Sequence, residues 1–210
     1  MIRVVVADDH AVVRKGLIQI LDDTEDLRVV GEAANAVELI GLLRKVPCDV
    51  LLLDVSMPGK NGIEAMKVIR QEFPQVRALV LSMYPEDQFG VRALKAGAAG
   101  YLTKQSAPDL LIDAVRRLAG GKRYITPELA DLLASSVGDD ADVERHTLLS
   151  DREYQVLTLI ASGKQLSEIA EQLSLSPKTV SVYRARLLEK MKLANNAELT
   201  HYAIKNGLVE

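Results

Sequence analysis

The chain has 210 residues, 48% apolar and 26% charged, with no Trp and a formal net charge of −3 at pH 7. That composition supplies one or two aliphatic cores, and it excludes any case for nucleic-acid binding from bulk charge, so charge has to be read segment by segment. A single cysteine, Cys48, excludes an internal disulfide, and three scattered histidines (His10, His146, His201) exclude a zinc-type cluster. The chain shows no basic-apolar-small leader and no apolar run near the ~18 residues of a bilayer span, which predicts a cytoplasmic protein with no membrane partner.

Ile2 to Ala7 is a short β-branched run ending in Asp8-Asp9-His10. Helical spacing follows from Val12 to Leu21, then a second strand from Leu27 to Ala33 and a helix from Ala36 to Val46 closed by Pro47. Asp49 to Leu53 is the third strand, whose unbroken apolar run Val50 to Leu53 delivers Asp54 before the chain breaks at Met57-Pro58-Gly59. Runs without alternation suit a central parallel strand covered on both faces. Ile63 to Phe73 is helical, Val76 to Ser82 a strand, Asp87 to Ala96 a helix, Ala99 to Thr103 a short strand, and Pro108 to Leu118 a helix before Gly120-Gly121.

Five strand–helix units with right-handed crossovers give a five-stranded doubly wound parallel sheet with all strand carboxyl ends on one edge. Asp8, Asp9, Asp54, Ser82 and Lys104 converge there. Three carboxylates call for a hard divalent cation, and a hydroxyl and an ammonium beside the third acid would stabilise added negative charge. That combination reads as phosphoryl transfer to a carboxylate.

The pattern Asp8-Asp9, Asp54-x-x-Met57-Pro58-x-x-x-Gly62, Ser82 and Tyr101-Leu102-x-Lys104 resembles the receiver domain of two-component response regulators over residues 1–121. The resemblance implies that Asp54 accepts a phosphoryl group from a sensor histidine kinase. It implies that Asp8, Asp9, Asp54 and the backbone carbonyl of Ser56 hold Mg²⁺, that Ser82 and Lys104 bind the phosphoryl oxygens, and that Tyr101 is the switch aromatic. His10 reads as a loop or first-turn residue and Cys48 as a small buried residue at a strand start.

Residues 122–148 read as a linker with a short helix starting at Thr126-Pro127-Glu128. Gly138-Asp139-Asp140-Ala141-Asp142 is its most linker-like stretch, and its acidity suggests docking onto a basic helix downstream.

From 149 to 210 the strand signals stop and four short helices follow, a small all-α domain. Ser150-x-x-Glu153 and Asn195-x-x-Glu198 read as capping boxes, and Ser176-Pro177 opens the third helix. From Lys178 to Lys192 five basic residues stand against one acid, a local net of +4. Val180, Leu187 and Met191 share one face of that helix, while Lys178, Ser181, Val182, Ala185 and Lys192 lie opposite, with Arg186 to one side. A basic helix after a short helix and a tight turn is helix-turn-helix geometry.

Leu149-Ser150-x-Arg152-Glu153, Glu168-Ile169-Ala170, Ser176-Pro177-Lys178-Thr179-Val180 and Arg184-Ala185-Arg186-Leu187-x-Glu189-Lys190 resemble the LuxR-type DNA-binding domain. Both halves together resemble the NarL/FixJ subfamily of response regulators. This implies double-stranded DNA as a partner, with Lys178, Thr179, Arg184 and Arg186 on the DNA side and Ser181, Val182 and Ala185 facing bases. It also implies a homodimer on phosphorylation or on DNA, with the last helix (Ala197, Leu199, Tyr202, Ile204) as a contact, and RNA polymerase as a further partner. The rival reading is an aspartyl phosphohydrolase. Those resembling haloacid dehalogenases want a second Asp two residues after the nucleophile, where this chain has Ser56, and there is no substrate cap. A phosphorylation-independent binding module is the third reading.

Overall fold

The structure, a computed structural model, describes residues 1–55, 57, 62–83, 85–138 and 145–209. Ser56, Pro58-Gly59 and the acidic stretch at 139–142 lie outside the described residues. The chain divides into two compact units, Met1–Val137 and Gly138–Glu210. Among the described residues no helix is long and apolar enough to cross a membrane.

The first unit is built from β1 (Ile2–Ala7), α1 (Ala11–Asp22), β2 (Leu27–Ala33), α2 (Ala36–Leu43), β3 (Val50–Asp54), α3 (Gly62–Glu72), β4 (Arg77–Ser82), α4 (Glu86–Ala96), β5 (Gly100–Thr103), α5 (Pro108–Ala119) and α6 (Pro127–Gly138). The strands form one parallel sheet in the order β2-β1-β3-β4-β5. Strand residues point alternately to its two faces. Val4, Val6, Val50 and Leu52 join Leu21 of α1 and Leu111, Val115 and Leu118 of α5 in one core. Val5, Leu51 and Leu53 join Leu39 of α2 and Met66 and Ile69 of α3 in the other. The near-continuous apolar runs of β1, β3 and β4 follow from that two-sided burial.

Two sequence expectations shift. The second helix stops at Leu43 rather than Val46, because Pro47 disfavours helical backbone at the residue before it, and the N–H groups of Lys45 and Val46 fold back onto Leu42 O. The helix expected in the linker clusters with the sheet. Tyr124 bridges to Gly100 beside β5, its N–H donating to Ala99 O at 2.9 Å, and Leu129 of α6 sits against Gly90 of α4.

The second unit holds a 3₁₀ turn (Arg145–Leu148) within the stretch read as linker, then α7 (Asp151–Ala161), α8 (Leu166–Gln172), α9 (Pro177–Met191) and α10 (Asn196–Lys205). Val156, Leu157, Ile169, Val180, Leu187, Met191, Leu199 and Ala203 are buried. Of the two expected capping boxes, the one at Ser150 forms in full and the one at Asn195 only in its first half. Ser150 Oγ accepts from Glu153 N–H, and the Glu153 carboxylate accepts from Ser150 N–H at 2.7 Å. Asn195 Oδ1 accepts from Glu198 N–H, while Glu198 reaches past the cap to Ala194 N–H at 2.8 Å.

Candidate functional site

Sheet register assembles the first site. Ala7 stands opposite Leu53 and Asp54 opposite Leu81, so Asp8, Asp54 and Ser82 emerge together at the carboxyl edge of three adjacent strands. Ser82 stands opposite Thr103, and Lys104 follows one residue on, its N–H donating to Ser82 O at 2.7 Å. Asp8, Asp54 and Ser82 are all but fully buried.

Lys104 Nζ bridges the two buried acids, 2.7 Å from Asp8 Oδ2 and 3.0 Å from Asp54 Oδ2, with its side chain only 6% exposed. Burial works against the ammonium, but the negative charges of Asp54 and Asp8 outweigh it and hold the Lys104 pKa above the usual lysine value. One ammonium cannot neutralise two carboxylates, and Asp9 adds a third. Asp8 Oδ2 and Asp9 Oδ1 are buried oxygens whose contacts are the ion pairs with Lys104 and His10. The donor set of Asp8, Asp9, His10 and Asp54 offers ligand atoms all within 4.8 Å of one another, a group that could hold a metal ion.

His10 was not expected here. Its Nδ1 lies 2.8 Å from Asp9 Oδ1 and 3.3 Å from Asp8 Oδ1, and its backbone N–H donates to Asp8 Oδ1 at 2.8 Å. Adjacency to two strand-end acids was the available signal. Arg14, one turn into α1, donates to Asp8 O and to Glu32 Oε2, tying α1 and β2 to the same edge. Tyr101 is fully buried in β5, opposite Val80. Ser56 lies outside the described residues.

The second site is α9. Ser176 Oγ accepts from Thr179 N–H at 3.1 Å and Pro177, which has no N–H, fills the first position. The turn from α8 is tight because Ser174 takes the left-handed conformation, φ 53°, while Leu175 N–H caps Ala170 O. Val180, Leu187 and Met191 are buried as expected, together with Leu188. Lys178, Ser181, Val182, Ala185 and Arg186 are exposed on one side, Val182 at 44%. Thr179 and Arg184 are half-buried. Thr179 Oγ1 pairs with Ser176 Oγ at 2.8 Å, and Arg184 Nε donates to Asn196 Oδ1 at 2.6 Å, linking α9 to the start of α10. Lys190 Nζ pairs with the buried Glu153 carboxylate at 2.7 Å. Burial favours the neutral acid there, but Lys190 and Ser150 N–H prevail and the Glu153 pKa falls below its usual value.

Of the residues named on the last helix, two are engaged within the unit. Leu199 is fully buried, and Tyr202 Oη is engaged by His146 Nδ1 at 3.1 Å. Ala197 and Ile204 remain exposed.

Residues 4–116 match the family described as response regulator receiver domain, and residues 147–203 the one described as bacterial regulatory proteins, luxR family. The chain is 39% identical over 209 residues to the response regulator UvrY of Escherichia coli K12, covering 99% of this chain and 96% of UvrY. It is 38% identical over 211 residues to the response regulator GacA of Pseudomonas aeruginosa, covering 100% and 99%. Among solved structures it is similar to RcsB of Salmonella enterica serovar Typhimurium bound to a promoter in the presence of phosphomimetic BeF3⁻, at 33% identity and TM-score 0.63 over 96% of this chain and 97% of that one.

Proposed function

The chain belongs to the response regulators that join a receiver domain to a luxR-family domain, and from that membership we propose that Asp54 accepts a phosphoryl group from a sensor histidine kinase and that the modified chain binds double-stranded DNA as a dimer to regulate transcription. The observation that carries this reading is Lys104 Nζ bridging Asp8 and Asp54 where three parallel strands end. A carboxylate oxygen of Asp54 attacks phosphorus. The new O–P bond forms as the N–P bond to the kinase histidine breaks, and the leaving imidazole keeps the electron pair and takes up a proton.

Asp8, Asp9 and Asp54, with the Ser56 carbonyl, would hold Mg²⁺, and the clustering of their carboxylates around a single ammonium fits that role. The ion supplies charge neutralisation when bound. Lys104 turns its ammonium, and Ser82 its hydroxyl, toward the added oxygens. Tyr101 is the switch aromatic whose packing beside β4 follows Ser82.

In the second unit, whose DNA-binding domain we take as residues 149–210, Lys178, Thr179, Arg184 and Arg186 bind DNA phosphates or adjoin them, and Ser181, Val182 and Ala185 face bases. The exposed basic side of α9 supports this. Ala197 and Ile204 are the α10 positions left for a two-fold contact, and RNA polymerase is the partner of the DNA-bound form.

Incubation with a small phosphodonor and Mg²⁺ tests the reading. One hydroxylamine-sensitive phosphoryl group per chain, lost in Asp54→Asn, together with tighter binding to a selected duplex, is the expected result. Rapid donor turnover without an adduct, or labelling that survives Asp54→Asn, refutes it.

A further inference from the structure

A second charged feature of the first unit lies at the opposite edge of the sheet from Asp54. Between the ends of α3 and α4 and the start of β4 is a cavity of about 240 Å³ with Met66, Ile69 and Leu94 in its lining and three arginines, Arg70, Arg77 and Arg123, around it. Arg70 comes from α3, Arg77 opens β4, and Arg123 follows α5. Its described lining contains no acidic residue.

Most other arginines of this unit are engaged, Arg28 excepted. Arg3, Arg14, Arg44, Arg116 and Arg117 each have a carboxylate partner, at Asp49, Glu32, Glu72, Asp26 and Asp113. Among the described residues none pairs with Arg70, Arg77 or Arg123, and all three are exposed. Helix-end carbonyls do not occupy them either. Gly97 and Ala98 N–H groups cap Leu94 O and Ala93 O at the end of α4, and Phe73 N–H caps Ile69 O at the end of α3. Gly97, in the left-handed region at φ 113°, lets the Arg70 stem lie against the backbone, since a Cβ there would meet Arg70 Cδ at 2.8 Å.

Guanidinium groups bind oxyanions through two parallel N–H bonds, and a concave site with an apolar wall concentrates their field. The volume is below the roughly 300–1,000 Å³ of sites for drug-sized ligands, which selects a compact anion. We propose that this cavity is a binding site for a small polyphosphate group, independent of Asp54 and of its metal.

The test is calorimetric titration of the full chain with inorganic pyrophosphate in metal-free, low-salt buffer, where the carboxylate edge cannot recruit phosphate through a cation. Saturable binding of one pyrophosphate per chain is expected. Arg77→Gln and Arg123→Gln should each weaken it about tenfold, the size of losing one charge-assisted hydrogen bond, with unchanged circular dichroism and melting. Lys178→Gln, on the basic helix of the other unit, should leave it unchanged. Absence of saturable binding into the millimolar range, full binding in the Arg77→Gln/Arg123→Gln double variant, or loss of binding in Lys178→Gln would each overturn the assignment. A parallel titration with ADP separates the sources. Tighter binding than pyrophosphate indicates a phosphate ester whose organic part meets the apolar wall, and equal or weaker binding indicates free polyphosphate; both support the site.

Discussion

Replacing Lys104 by Met keeps the length of the side chain and removes its charge. Asp8 and Asp54, each 1% exposed, would then face each other with no cation between them. Removing one partner of a buried ion pair costs roughly 3–5 kcal/mol. The pocket opens at the sheet edge beside the exposed His10, so the lower end, about 3 kcal/mol, is expected. For a unit of this size each kcal/mol moves Tm by about 3 °C, which puts the melting point of the first unit about 10 °C lower in the absence of metal. The chain has no Trp, so the melt is followed by far-ultraviolet circular dichroism. Mg²⁺ should recover most of the loss and stabilise the variant more than the parent, because the emptier pocket carries more negative charge for a cation to bind. The pH dependence has a defined sign. The folded pKa of Lys104 is raised, so its contribution is complete below the unfolded value of about 10.4 and is lost as pH climbs through the folded value. Parent and variant stabilities should therefore converge in strongly alkaline buffer. A metal-free Tm that does not move, or an equal Mg²⁺ response in both proteins, would refute the assignment of Lys104 as the internal counter-ion.

The remaining expectations are narrower. Lys178→Ala should weaken binding to every duplex alike and lower the salt slope by about one, whereas Val182→Ala should change sequence preference at constant slope, both read by DNA titration across salt concentrations. Glu153→Gln removes the acid that accepts from Ser150 N–H and pairs with Lys190, and should cost the second unit about 1 kcal/mol in urea unfolding. Because the folded pKa of Glu153 is lowered, its contribution is present above the unfolded value of about 4.3 and disappears as pH falls through the folded one, so parent and variant should converge in acid. Gly100→Ala places a Cβ 2.8 Å from Tyr124 O and should destabilise by about 1–3 kcal/mol, while Gly16→Ala, in open space on α1, should stabilise by about 0.5–1 kcal/mol in the same denaturation assay.

The sheet was legible because its central strands are buried on both faces and therefore appear as unbroken apolar runs. Register then places Asp8, Asp54, Ser82 and Lys104 without further information. His10 was legible only as the neighbour of two strand-end acids, since the fold of the turn after β1 is what brings Nδ1 back onto Asp8 and Asp9. Nor was the attachment of α6, which depends on Tyr124 meeting Gly100 and Leu129 meeting Gly90, contacts between distant parts of the chain. Which side of the last helix stays open was also in the sequence. At 100° per residue, Ala197 and Ile204 fall on one face and Leu199 on the opposite, buried one. Arg184 shows the reverse case, a residue chosen for its charge that also holds α9 to Asn196.

Cys48 is 7% exposed just before β3, donates from Sγ to Val50 O at 3.2 Å, and has its thiol pushed up to about 12 by burial. Only the thiolate reacts readily with alkylating reagents. The native thiol is both covered and protonated, so alkylation is confined to molecules whose sheet has opened. It is also the sole cysteine of the chain, and the luxR-family half contributes no signal. Pulse labelling is thus a clock for the opening of one half of a two-part protein, ticking at the central strand that presents Asp54.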